Sequence, residues 1–289
     1  MAATQLFFDF SEPAPAQPEA RSIAKGKSKH GKETLPDDFP SFEPYGSWVN
    51  YNKRLSSSEH ARKNKEAIAL LSKQKGQLSP DELTALRSYS GWGGLSESNE
   101  RGALYDYYTS PPIAALAWKL LDNIQPIEKG ASILEPSCGT GIFIAAGPKG
   151  AAYTGVELDK RSAAIASHLH PQADIIPQSY EAFNISSNSA ERFDHAIGNI
   201  PFGWRTLETA FMDMPEEKSL DRYFISRSID NLKPCGTMAL IAHPGILANK
   251  SNIGWRLSIN RKAQFMGAVK LNDHSFHHSH TSIQPDILF

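Results

Sequence analysis

The stretch Ala131 to Ile144, ASILEPSCGTGIFI, constrains this chain more than any other. Ile133 and Leu134 form a short apolar run of the kind buried in a parallel sheet. Gly139 and Gly141 follow, where the backbone has to turn tightly and expose its N–H groups to a ligand. A strand, a glycine turn and the start of a helix are the expected elements. Phosphate-binding versions of this arrangement fit poorly. The dinucleotide fingerprint needs a third glycine where Ile144 stands, and the phosphate loop needs Gly-Lys-Ser/Thr where Gly-Ile-Phe stands. Glu135 at the strand end would repel a phosphate but would pair with a cationic ligand bearing a sulfonium or an ammonium group.

The next apolar run, Ala152 to Leu158 (AYTGVEL), ends at Glu157, at the position where doubly wound sheets hold a ribose diol. A plainer reading stands beside it, in which Glu157 and Asp159 cap the helix expected from Lys160 to His170. Further short strands are expected at Ala173 to Pro177, Arg192 to Gly198, Thr237 to His243, Gln264 to Leu271 and the final DILF. Helices are expected from Ser219 to Leu232 and from Asn252 to Lys262. Strands alternating with helices imply an α/β doubly wound sheet with its ligands at the carboxyl ends of the strands.

Ahead of this core, residues 1–40 are rich in Pro, Ala, Lys and Glu and show no sustained period, so they read as a disordered tail. The tail carries a small basic run at Lys25, Lys27, Lys29 and Lys32. Residues 41–104 read as an N-terminal helical segment. One helix starts at Ser58 and ends by Gly76; the next starts at Ser79-Pro80-Asp81-Glu82 as a capping box and ends near Tyr89. YSGWGGL, Tyr89 to Leu95, then breaks the pattern, and Trp92 is either a base-stacking aromatic or a plug onto the core. The core occupies residues 105–289. Its first helix has Ser110 as N-cap and Pro111 at N1, with Ile113, Leu116, Ala117, Leu120, Leu121 and Ile124 on one face.

Lys and Arg total 30 against 31 for Asp and Glu, so any contact with nucleic acid has to come from local charge. Cys138 and Cys235 lie too far apart for a zinc motif, and Cys138 reads as a small packing residue. His274, His277, His278 and His280 read as an exposed loop, and no metal is expected. Neither a signal peptide nor a membrane span is expected, and a cytoplasmic location follows.

LEPSCGTG, GVELD and IGNIPFG (Ile197 to Gly203), taken in order, resemble the motif series of class I S-adenosylmethionine-dependent methyltransferases that act on the N6 amine of adenine in DNA. From Tyr45 to Phe289, including YSGWGGL and SIQPDILF, the chain resembles the methylase part of large plasmid- and phage-encoded methylase-helicase proteins. The resemblance implies a Rossmann-like sheet of seven strands, mostly parallel, with the last strand antiparallel between the fifth and sixth. It implies S-adenosyl-L-methionine as cofactor, held by Tyr108, Thr109, Pro111, Glu135, Pro136, Ser137, Cys138, Gly139, Gly141 and Glu157, with Glu181 and Phe183 beside its adenine. It implies Asn199, Ile200, Pro201 and Phe202 as the catalytic set, although relatives more often carry proline where Ile200 stands.

That set suits an amine whose lone pair is delocalised into a ring. The Asn199 side-chain carbonyl and the Ile200 main-chain carbonyl can each accept one amine hydrogen, Pro201 fixes the turn, and Phe202 stacks on the base. Adenine has to be flipped out or met in a single strand. The loop from Gly203 to Lys218, with Trp204, Arg205 and Phe211, is expected to touch the opened strand. RNA adenine, a protein glutamine, and a non-catalytic DNA-binding or assembly module are the alternatives. Family members continue past the point matching Phe289, so a helicase-like region or separate chain is the expected further partner.

Overall fold

The computed structural model describes residues 55–89, 91, 108–187, 192–204, 211–272, 275–276 and 284–289. Seven strands form one sheet: β1 Ser132–Glu135, β2 Ala152–Val156, β3 Asp174–Ile176, β4 Phe193–Asn199, β5 Leu232–Ala242, β6 Ala268–Lys270 and β7 Asp286–Leu288. Their order is β3-β2-β1-β4-β5-β7-β6. All neighbours run parallel except β7, which is antiparallel to both β5 and β6. The order reverses between β1 and β4, and the crevice beyond their carboxyl ends is where such sheets take ligands.

Alternation along the strands divides the core into two layers. Ile133, Ile197, Ala239, Ile241 and Ile287 face one side, against helices α3 (Pro111–Ile124) and α4 (Ile142–Ala146). Leu134, Ala196, Leu240, Ala242 and Leu288 face the other, against α6 (Tyr180–Ser187) and α7 (Leu220–Asn231). Helix α5 (Lys160–Leu169) instead carries Ile165 into a third cluster with Ala67, Leu86 and Tyr89 of the N-terminal segment. That segment is α1 (Ser57–Ala69) and α2 (Pro80–Arg87), the latter opened by the expected capping box of Ser79 and Glu82. The short helices α8 (Gly245–Ala248) and α9 (Ile253–Ile259) follow β5.

Three expectations are corrected. The buried stripe of α3 is Ala114, Ala117, Trp118 and Leu121, and Leu116 is 37% exposed. The indole of Trp118 reaches the Phe143 carbonyl at 2.7 Å, and this polar anchor fixes the rotation of the helix about its axis. Strand β5 begins at Leu232, directly after α7, and not at Thr237. Its register shifts between the partners of Phe193 and His195, and Cys235 within that excursion has φ 64°. Phe211 is core and does not meet a substrate strand: its ring stacks on that of Tyr223, nearly parallel to it at 3.6 Å, and is 1% exposed. Residues 1–40, Trp92, Arg205 and His274, His277, His278 and His280 lie outside the described residues.

Candidate functional site

Strand β1 ends at Glu135, and the turn that follows is shaped by what lies beneath it. Gly139 has φ 54° and Gly141 φ 82°, the left-handed region that glycine enters without strain. A Cβ on Gly141 would come within 2.5 Å of the His170 ring, whose Nε2 meets the Thr140 carbonyl at 3.1 Å. Gly141 is therefore small to admit His170, which lies under the turn. A Cβ on Gly139 would meet the Tyr108 ring at 3.1 Å, and the Tyr108 hydroxyl bonds Ser162 at 2.7 Å. Cys138 is buried against Gly155 of β2, where a Cβ would come within 2.8 Å of its sulfur.

Glu157 and Asp159 have separate tasks. Asp159 caps α5 by accepting the Ser162 N–H. The Glu157 carboxylate instead accepts the Gly139 N–H at 2.8 Å and the Asp159 N–H at 2.7 Å, so it ties the end of β2 to the glycine turn after β1. Glu135 is 2% exposed. The N–H groups of Phe143 and Ile144 at the start of α4 face its carboxylate, yet Oε2 has no hydrogen-bond partner. Burial, and then the nearby Glu157, push the Glu135 carboxyl well above the ordinary carboxylate range.

Across the switch point, β4 delivers Asn199, Ile200, Pro201 and Phe202 to the same end of the sheet. The Ser137 hydroxyl donates to the Asn199 carbonyl at 2.7 Å, and Gly198 sits against Pro136 and Glu135. The Ile200 N–H donates to the Ile241 carbonyl. Phe202 is partly buried between the two core layers, edge-on to His243 at 6.1 Å. Asp221 closes the motif: its buried carboxylate accepts the N–H groups of Gly203 and His243, each at 3.3 Å.

Thr109 is buried beside Tyr108, and Pro111 opens α3 with Ser110 as N-cap. The Ser110 side chain makes no capping hydrogen bond. One of the expected site residues, Phe183, faces the core instead. Phe183 is 1% exposed, stacked on Tyr180 within the core, and Glu181 accepts the Met212 N–H. Asp221, His243 and His170 were missed, because single polar residues outside any motif carry no signal of their own.

No protein-family model matches the chain. A class I S-adenosylmethionine-dependent methyltransferase assignment attaches to a Listeria monocytogenes structure that superposes with a TM-score of 0.58 at 19% identity, covering 75% of this chain and 69% of that one. With the sheet order and the antiparallel β7, this decides the architecture. The chain has the class I methyltransferase fold. A type I restriction-modification methyltransferase subunit from Streptococcus thermophilus superposes with a TM-score of 0.54 at 18% identity, covering 64% of this chain and 44% of that one. In sequence, 229 residues are 34% identical to the Defense against restriction protein B of Escherichia phage P1. The match takes in 78% of this chain and 10% of that protein, so the chain spans about a tenth of the curated relative's length.

The turn of this methyltransferase fold fits the cofactor that the fold serves. Glu135 supplies a buried carboxylate oxygen without a partner, and Glu157 supplies a second carboxylate close enough to raise the first. Two acceptors, one of them a carboxyl whose ionisation a bound cation favours, suit a cationic amino acid and a ribose diol, and disfavour a phosphate. Among the described residues, no helix is long and apolar enough to cross a membrane.

Proposed function

We propose that this chain transfers a methyl group from S-adenosylmethionine to the N6 amine of adenine in DNA. The observation that carries the reading is the Ser137–Asn199 hydrogen bond, which locks the glycine turn and the Asn-Ile-Pro-Phe segment together at one end of the sheet. The phage P1 relative and the restriction-modification methyltransferase subunit support DNA as the substrate class.

In this reading Glu135 and Glu157, with the N–H groups of the turn, would hold the cofactor, which would supply a methyl group on a sulfonium whose departing neutral thioether is a good leaving group. Tyr108 borders the turn at Gly139, and Thr109 and Pro111 follow it into α3. Asn199 accepts one amine hydrogen through its side chain and Ile200 accepts the other through its main-chain carbonyl. Together they favour a pyramidal nitrogen with its lone pair free to attack. Because Ile200 acts through its carbonyl, the usual proline is dispensable there. Phe202 stacks on the base and stabilises the positive charge that develops on it. No general base is needed before transfer, so positioning and electrostatics supply most of the rate. The adenine enters flipped from a duplex or from a single strand.

The test is transfer of labelled methyl from S-adenosylmethionine to duplex DNA, single-stranded DNA, RNA and protein, compared side by side. Label in DNA adenine supports the reading. Label confined to RNA or to protein glutamine, or no label despite cofactor binding, overturns it.

A further inference from the structure

Two residues beyond Phe202, Trp204 is 67% exposed, yet it is held in place. Its main chain bridges Ser219 in antiparallel fashion, and the adjacent Gly203 carbonyl accepts the Leu220 N–H at 2.9 Å. The Arg222 guanidinium covers one face of the indole, 5.6 Å from the ring. Arg222 is in turn fixed by Glu217, whose Oε1 meets its Nε at 3.0 Å and its Nη2 at 2.7 Å. That same oxygen accepts the N–H groups of Lys218 and Ser219. The order is thus Glu217, Arg222, Trp204, with the indole last in a series of fixed groups.

A large aromatic left in water forfeits the burial that would stabilise the fold, and a series that immobilises it removes the rotamer freedom that binding would otherwise cost. A cation over a ring that stays 67% exposed leaves a flat π surface for one more planar group. We propose that Trp204 is a stacking platform for a nucleobase, the one beside the target adenine, filling or covering the step that the target leaves when it enters the site. This rests on the reading of the substrate as adenine in a nucleic acid. It assigns Trp204 to substrate binding, apart from the cofactor turn and from the groups that touch the reacting nitrogen.

Base-on-aromatic stacking contributes about 1 to 3 kcal/mol per base, a factor of roughly 5 to 150 in affinity. The experiment titrates the full chain, saturated with S-adenosylhomocysteine, with a single-stranded oligothymidylate of about ten nucleotides carrying one central adenine. Affinity for S-adenosylhomocysteine is measured separately by calorimetry. Trp204→Ala is expected to weaken oligonucleotide binding within that range with cofactor affinity unchanged, while Trp204→Phe keeps most of the affinity. In the parent, tryptophan emission should be quenched on binding, by an amount that falls in Trp204→Phe. If Trp204→Ala binds the oligonucleotide as tightly as the parent, or Trp204→Phe leaves the quenching unchanged, the platform is wrong while adenine methylation stands. If the parent binds no oligonucleotide and instead binds and methylates a glutamine peptide, both readings fall.

Discussion

The hydroxyl of Ser137 donates to the main-chain carbonyl of Asn199 at 2.7 Å, tying the loop after β1 to the segment after β4 across the switch point of the sheet. The two halves of the site are therefore one mechanical unit. Ser137→Ala removes one neutral hydrogen bond, at a cost of about 0.5 to 1.5 kcal/mol in stability. It should also let Asn199 drift, so turnover is expected to fall further than cofactor affinity does. Equal losses in both would show that the bond serves the turn alone.

Gly141 and His170 act as a pair. Gly141→Ala places a non-glycine residue at φ 82° and drives its Cβ into the His170 ring, so loss of stability should accompany any loss of cofactor binding. Adding His170→Ala relieves the clash and leaves the backbone strain, about 1 to 2 kcal/mol. Thermal denaturation of the two variants and of the double variant measures this; a Gly141→Ala protein as stable as the parent contradicts it.

His170 also sets an acid limit. Burial is the main reason its pKa falls from 6.5 to about 4, so the folded state favours the neutral ring. Stability from this group is complete above pH 6.5 and is lost as pH falls through about 4, where the unfolded chain binds the extra proton. The expected loss across that window is on the order of 3 kcal/mol. His170→Gln should flatten the acid limb of a stability-versus-pH curve, and an unaltered limb would mean that another group governs it.

Glu135 works in the opposite sense. Its carboxyl is raised by burial and by Glu157, so its contribution is present below the ordinary carboxylate range and is lost as pH rises through the raised value. Glu135→Gln is therefore expected to stabilise the cofactor-free protein at neutral pH, by about 1 to 3 kcal/mol, while weakening S-adenosylmethionine binding. In the parent, the bound cation favours the ionised carboxylate, so affinity should rise with pH and binding should release a proton. Calorimetry in buffers of different ionisation enthalpy detects that proton, and its absence contradicts the assignment.

Much of the framework was legible in the sequence because periodicity reports burial directly. The runs around Ile133, Ile197 and Leu240 each became a central strand, and DILF became β7, whose antiparallel place between β5 and β6 was implied by the family resemblance and not by the pattern. The capping box at Ser79 and Glu82 was readable for the same local reason. Contacts that depend on the assembled fold were not. The rotation of α3 is set by one indole hydrogen bond to Phe143, and the glycine at 141 by a histidine 29 residues away in the chain. Asn199 and Ser137 could be named as site residues, but only the sheet order brings them to 2.7 Å. Phe183 and Phe211 looked like site aromatics because a sequence does not distinguish a ring facing a cleft from one facing the core.

The most direct test of adenine methylation compares the parent chain with Asn199→Ala, each incubated with S-adenosylmethionine and adenine-containing DNA, and measures N6-methyladenine in the digested product by mass spectrometry. The expected result is N6-methyladenine formed by the parent and a roughly 10²- to 10³-fold lower rate with Asn199→Ala, at nearly unchanged cofactor affinity. No N6-methyladenine from the parent, or an equal rate from Asn199→Ala, would contradict it.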